Sequence, residues 1–111
     1  MTIIMVMAMR YELVYAAAAF SHLSGIARAY HSAIRRAIGQ QLGYEPDVRT
    51  INRRLLLKRS RFGEAWELRC GPNNRFRVFY RIEEETARVR ILAIGQKIRE
   101  KLYIGGEEFE K

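Results

Sequence analysis

Alternation of apolar and polar positions predicts three strands in the second half of the chain. Residues 65–70, 76–82 and 88–94 are rich in β-branched and aromatic types, and charged residues interrupt them at a period of two. We expect an antiparallel three-stranded meander. An odd turn of three or five residues after the first strand places Arg69 opposite Arg77, whereas an even turn mixes the faces.

This register separates two faces of the predicted sheet. The apolar set faces the helices and comprises Trp66, Leu68, Cys70, Phe76, Val78, Tyr80 and Ile82. The other face carries the four arginines of residues 66–82 and comprises Arg69, Arg75, Arg77, Phe79 and Arg81. Because like charges at neighbouring cross-strand positions repel, this second face requires an anionic partner: RNA, DNA or an acidic protein.

The first half of the chain predicts one strand and two helices. Residues 10–15 alternate, residues 16–23 are alanine-rich, and apolar residues recur every three or four positions from 26 to 42. The expected fold class is α+β: a strand, a two-helix hairpin and the meander, in one domain at 10–104. Residues 1–9 are an uncertain extension or start, since methionines recur there, and 105–111 are an acidic, glycine-hinged tail.

Charge is concentrated in one segment of the sequence. The chain has a net charge of +8, and residues 48–82 alone hold ten basic and two acidic residues. Such clustering favours polyanion binding, and the alternative is a solvated basic surface with no ligand. The candidate RNA-binding residues are Arg53, Arg54, Lys58, Arg59, Arg61, Arg75, Phe79 and Arg81.

Cysteine content and hydropathy restrict the class of protein. A single cysteine, Cys70, excludes an intramolecular disulfide and a multi-cysteine zinc site, and a reducing, cytoplasmic setting fits best. The apolar stretch 2–9 is too short to span a membrane and has no charged residue before it. We expect no membrane association, no metal and no cofactor.

The order of elements resembles the RelE/ParE superfamily of toxin–antitoxin toxins. The resemblance covers about residues 10–103, and the segments 66–69, 75–80 and 91–97 carry it. It implies a growth-arresting toxin of a type II module, as in plasmid stabilisation, bound to a cognate antitoxin in a hetero-oligomer. The RelE branch, which we favour, implies ribosome-dependent, metal-independent cleavage of mRNA by an endoribonuclease (mRNA interferase). The alternatives are a ParE-type inhibitor of DNA gyrase and an inactive antitoxin-binding module.

The resemblance also implies the site residues. The family's strand arginines fall on Arg69 and Arg77, its basic residue after the glycine on Lys97 or Arg99, and its C-terminal tyrosine on Tyr103. We therefore take all five as candidate catalytic residues. Glu67 stands where the well-known ribosome-dependent enzymes have a lysine, and the acidic tail differs from their usual C-terminal helix. These two differences motivate the inactive-module alternative.

RNA cleavage through a 2′-hydroxyl needs a base, cations for the phosphorane and an acid. The two histidines, His22 and His31, lie in the helical half, so arginine, lysine and tyrosine remain. Crowding by arginines disfavours the charged form of Lys97 and makes it a conceivable base. Tyr103 and Phe79 offer surfaces on which a base stacks.

Each candidate also has a purely structural interpretation. Arg77 pairs with Glu67 across the sheet, Lys97 and Arg99 are solvated turn residues, and Tyr103 packs under the C-terminal segment.

Overall fold

A computed structural model describes residues 10–56 and 62–109, in which a mostly antiparallel sheet packs against two helices. The elements, in chain order, are β1 (Glu12–Tyr15), α1 (Ala17–Ser24), α2 (His31–Leu42), β2 (Arg53–Leu55), β3 (Trp66–Cys70), β4 (Phe76–Glu83), β5 (Arg88–Ile98), β6 (Lys101–Ile104) and β7 (Glu107–Glu108). Short 3-10 turns at Arg28–Tyr30, Pro72–Asn74 and Glu84–Thr86 join some of them. The second predicted helix thus begins as a 3-10 turn.

The long strand β5 organises the sheet. The antiparallel order is β2-β3-β4-β5-β6-β7, and β1 joins the same edge of β5 as β6 does, but in parallel. The first half of β5 pairs with β1, and the second half, from Gly95 to Ile98, pairs with β6. Strand β1 and the C-terminal hairpin, which β6 and β7 form at residues 101–108, are therefore both attached to β5.

The meander has the register predicted from face matching. Leu68 lies opposite Val78, and Arg69 lies opposite Arg77. The last pair joins Cys70 to Phe76, which leaves a five-residue connection. Asn73 and Asn74 both adopt positive φ there, a conformation that asparagine tolerates better than most residues.

The helices cover one face of the sheet. Ile34, Ile38 and Leu42, one turn apart along α2, are fully buried against the sheet. Of the seven residues predicted to face the helices, Trp66 and Ile82 are partly buried against this core, and the other five are buried within it.

The second face of the sheet is covered in part, contrary to the expectation that it is open. Phe79 is fully buried there in a small core with Ala93, Ile104 and Phe109. Its ring lies 5.0 Å from that of Phe62, centroid to centroid. The prediction that Phe79 offers an exposed stacking surface is therefore wrong, because the C-terminal hairpin folds back over it.

Two tight turns build that hairpin. We expected the third strand to end at residue 94, but β5 continues through Gly95 and turns at Arg99 and Glu100, both at positive φ. A Cβ atom at Gly95 would lie 2.9 Å from Ile104 Cγ1, so glycine here permits close packing of β6. Residues 105–109, assigned to a tail from the sequence, form a second turn at two positive-φ glycines, then β7 and the buried Phe109.

Between α2 and β3, the described residues form one short strand, β2, which pairs with β3. Lys58, Arg59 and Arg61 lie outside the described residues. Within 10–56 and 62–109, no helix has the length and apolar character needed to cross a bilayer.

Candidate functional site

The second face of the sheet aligns cations across three strands. Arg69 on β3 lies opposite Arg77 on β4, and Arg77 lies opposite Gly95 on β5. Lys97, two residues beyond Gly95, projects to the same face because side chains alternate along a strand. Gly95 lies opposite Arg77 and has no side chain. The row of cations on this face therefore consists of Arg69, Arg77 and Lys97.

These three cations line one cavity of about 300 Å³. The hairpin supplies the opposite wall, and the full lining is Arg69, Arg77, Lys97, Glu100, Lys101, Leu102, Glu108 and Phe109. Lys97 Nζ lies 3.6 Å from Glu100 Oε2, and Lys101 Nζ lies 3.8 Å from Glu108 Oε1. The cavity therefore has a cationic floor and a rim of mixed charge. We call it the cationic cavity.

A fully buried carboxylate lies beside this cavity. Glu67 Oε1 is 3.3 Å from Nε of Arg54, 3.7 Å from Nε of Arg69 and 3.9 Å from Nε of Arg77. The structural interpretation of Arg77, an ion pair with Glu67, is thus present in the structure. Arg77 nonetheless lines the cavity. The single carboxylate of Glu67 is shared among three guanidinium groups.

Arg77 is the most buried cation of the cavity. Its Nη1 donates to the carbonyl oxygens of Asn74 and, at 3.3 Å, of Phe76. Burial lowers the pKa of Arg77, Glu67 opposes this effect, and Arg69 adds to it. An arginine nonetheless stays protonated in proteins, so Arg77 is a fixed positive charge held by backbone contacts.

Tyr103 does not reach the cationic cavity. It lies opposite Gln96 in the β5–β6 pair, on the helix side of the sheet, where it lines a separate cavity of about 340 Å³ with His22. His22 Nδ1 accepts a hydrogen bond from Ile94 N–H at 3.2 Å, and burial lowers the pKa of His22. Arg99 lies in the exposed turn between β5 and β6. Of the five candidate catalytic residues, the structure brings together Arg69, Arg77 and Lys97.

Arg53 is buried on the helix side of β2. Its Nη1 donates to the carbonyl oxygen of Gln41 at 2.8 Å and to that of Glu45. These carbonyls lie at and just beyond the C-terminus of α2, so Arg53 satisfies backbone groups there. Its interpretation as an RNA contact is wrong.

The other described residues that we predicted to bind RNA, Arg54, Arg75 and Arg81, do not lie together. Arg75 lies against Tyr30, with Cζ 5.0 Å from the ring centroid and a hydrogen bond of 3.1 Å to the hydroxyl, so it does not share the face of Arg77. Arg81 is exposed and donates to the carbonyl oxygen of Phe62 at 2.8 Å. Arg54 contacts Glu67, which lies beside the cationic cavity.

Sequence reasoning missed the hairpin residues Lys101 and Glu108. Ending the third predicted strand at residue 94 left out residues 96–98, which continue β5, and residues 101–104, which form the further strand β6. Among the described residues, no group of three or more His, Cys, Asp or Glu side chains is arranged to hold a metal ion.

Fold and site together define a small α+β protein with a cationic cavity on the helix-free face of its sheet. Among solved structures, the chain is similar to one chain of the crystal structure of the toxin–antitoxin complex RelBE2 from Mycobacterium tuberculosis. The TM-score is 0.65 at 22% sequence identity, over 79% of this chain and 99% of that one. No protein-family profile and no curated protein sequence matches. The likeness shows that this chain and that chain share a fold.

Proposed function

We propose that the chain is the toxin of a type II toxin–antitoxin module and cleaves mRNA on the ribosome. The observation that carries this proposal is the convergence of Arg69, Arg77 and Lys97 on one cavity. The likeness to a chain of a toxin–antitoxin complex supports the toxin assignment.

The cavity offers the charges that the reaction requires. In the proposed step the 2′-oxygen attacks the adjacent phosphorus as its proton passes to the amine of Lys97, and the P–O5′ bond breaks. The 5′-oxygen then takes a proton, giving a cyclic phosphate and a 5′-hydroxyl. Arg69 and Arg77 stabilise the additional negative charge of the phosphorane. Lys97 is the candidate for proton transfer, because arginine stays protonated and lysine does not always do so.

The antitoxin is the second proposed partner. A protein segment that covers the cationic cavity with acidic side chains would exclude mRNA from it and neutralise the clustered charge. The toxin would then be stored as a hetero-oligomer in the cytoplasm, where its ribosomal target lies.

Primer extension on a reporter mRNA in a reconstituted translation system tests the proposal. We expect cuts at fixed positions within A-site codons with wild-type protein and none with Lys97→Ala. Arg88→Ala is the matched control, since Arg88 is an exposed cation of β5 outside the cavity. Intact mRNA in the presence of folded wild-type protein would contradict the proposal.

A second candidate is a ParE-type inhibitor of DNA gyrase. The observation that favours it is the position of Tyr103 and Arg99 outside the cavity, which leaves the cavity without the tyrosine that the resemblance implies. This candidate predicts loss of gyrase supercoiling activity with mRNA intact. If neither activity is found and overexpression leaves growth unchanged, the inactive antitoxin-binding module remains.

A further inference from the structure

Glu67 is a buried acid in a protein of strong positive charge, and three arginines surround it. Its side chain is 0% exposed, whereas those of Arg54 and Arg69 are 49% and 38% exposed. Burying a carboxylate has a large desolvation cost, which ion pairing and hydrogen bonding offset. The carboxylate is therefore an integral part of the cationic surface.

The contacts run through the inner nitrogen of each guanidinium group. Glu67 Oε1 faces Nε of Arg54 and Arg69 at 3.3 and 3.7 Å. The two terminal nitrogens of an arginine, which lie farther from Cα than Nε does, form the fork that matches a phosphate. A carboxylate that contacts Nε of a partly exposed arginine thus orients that fork.

We infer that Glu67 is a positioning residue, which holds Arg54 beside Arg69 and so adds a second phosphate-binding element next to the cationic cavity. The inference rests on the proposed function and deepens it. The substrate's backbone would contact Lys97, Arg77 and Arg69 in the cavity and then Arg54 on β2. The RNA site would then extend over at least two consecutive phosphates.

A positioning role and a merely neutralising role have opposite consequences. If Glu67 only lowers the local charge, removing its charge strengthens RNA binding and steepens its salt dependence. If Glu67 orients the arginines, removing it leaves mutually repelling side chains that must be ordered on binding, so binding weakens. The sign of the change in affinity separates the two roles.

The test uses ribosomes programmed with mRNA and an empty A site. Single-turnover cleavage at increasing protein concentration gives the half-saturating concentration and the maximal rate separately, at about 50 and about 150 mM KCl. For Glu67→Gln we expect a half-saturating concentration about tenfold higher and a weaker dependence on salt, by about one phosphate contact. The maximal rate should change less than the half-saturating concentration.

Glu64→Gln is the matched control, because it removes the same charge at an exposed position outside the cavity. Glu67→Asp keeps the charge but shortens the reach to the three arginines, so we expect it also to weaken binding. Thermal unfolding establishes whether each variant is folded. Arg54→Ala removes a half-exposed side chain rather than a buried group, and we expect it to raise the half-saturating concentration.

Tighter binding by Glu67→Gln, with a salt dependence equal to that of Glu64→Gln, would overturn the inference. If the Glu67 variants do not fold, an unchanged half-saturating concentration for Arg54→Ala overturns it instead. In both cases the wild type still cleaves, so the proposed function stands. A wild-type protein that leaves the mRNA intact contradicts the proposed function and the inference together.

Discussion

Neighbouring arginines on β2 have different roles because alternate residues of a strand face opposite sides of the sheet. Arg53 is buried under the end of α2, and Arg54 lies beside Glu67 on the cationic face. Charge counting along the sequence cannot separate the two, since they are chemically identical and adjacent. Only the pairing of β2 with β3 assigns each to its face.

At the residue scale, Arg53→Ala should destabilise the protein. The substitution leaves the carbonyl groups of Gln41 and Glu45 without their charged donor. We expect the free energy of unfolding to fall by about 2–3 kcal/mol, the usual range for a charged hydrogen bond in a buried setting. Urea unfolding followed by circular dichroism measures this change.

The control for that substitution is Arg49→Ala, which removes an exposed arginine from the segment between α2 and β2. Its effect should stay within about 0.5 kcal/mol, as for most surface changes. Equal effects of the two substitutions would contradict a structural role for Arg53.

Cys70 predicts a loss of stability at alkaline pH. Burial raises the pKa of its thiol to about 11, whereas an unfolded cysteine has a pKa of about 8.5. Because the folded-state pKa is the higher one, this stabilisation is complete below about pH 8.5 and is lost as the pH rises toward 11. Burial also raises the pKa of Tyr80, which extends the loss to higher pH.

Urea unfolding between about pH 7.5 and about pH 10 checks this prediction. We expect the Cys70 contribution to fall by about 2 kcal/mol over that range. Cys70→Ala removes this contribution and should flatten the profile. Parallel profiles for wild type and variant would show that the thiol ionises alike in both states.

At the element scale, the meander was predictable and the C-terminal hairpin was not. Alternation and face matching predicted the pairing of Arg69 with Arg77, because one misplaced residue would have exchanged core and surface. The hairpin instead depends on close packing at Gly95 and on positive φ at Arg99 and Glu100. Such features follow from tertiary contacts, and residue type alone does not indicate them.

The hairpin contributes to stability through Phe109. This ring is buried beside Phe62 and Phe79, with centroids 5.5 Å from each. Phe109→Ala leaves a void over Phe79, and we expect a loss of about 3–5 kcal/mol in the free energy of unfolding. Differential scanning calorimetry measures the shift in Tm.

Phe20→Ala serves as the comparison, because Phe20 is 54% exposed. Its loss should be below about 1 kcal/mol, in the range of surface substitutions. A Phe109→Ala variant as stable as Phe20→Ala would contradict the packing role of the hairpin.

At the scale of the whole molecule, the two faces of the sheet carry different sets of residues. The helix side holds the main core and also takes Arg53, Arg75 and Tyr103. The other side holds a smaller aromatic core next to the cationic cavity. The fold class and the positions of Arg69 and Arg77 were predictable, because they depend on strand periodicity. The separation of Tyr103 from Lys97 was not predictable, because it depends on β5 continuing beyond Gly95.

The most direct test of the proposed function is the single-turnover rate of mRNA cleavage on programmed ribosomes, with the product's 5′ end identified. We expect a 5′-hydroxyl product and a rate at least about 100-fold lower for Arg69→Ala and for Lys97→Ala, the usual effect of removing a group that stabilises the transition state. Arg88→Ala should cleave as the wild type does. Equal rates for all four proteins, or no cleavage by the wild type, would contradict the assignment of the cationic cavity as the site of RNA cleavage.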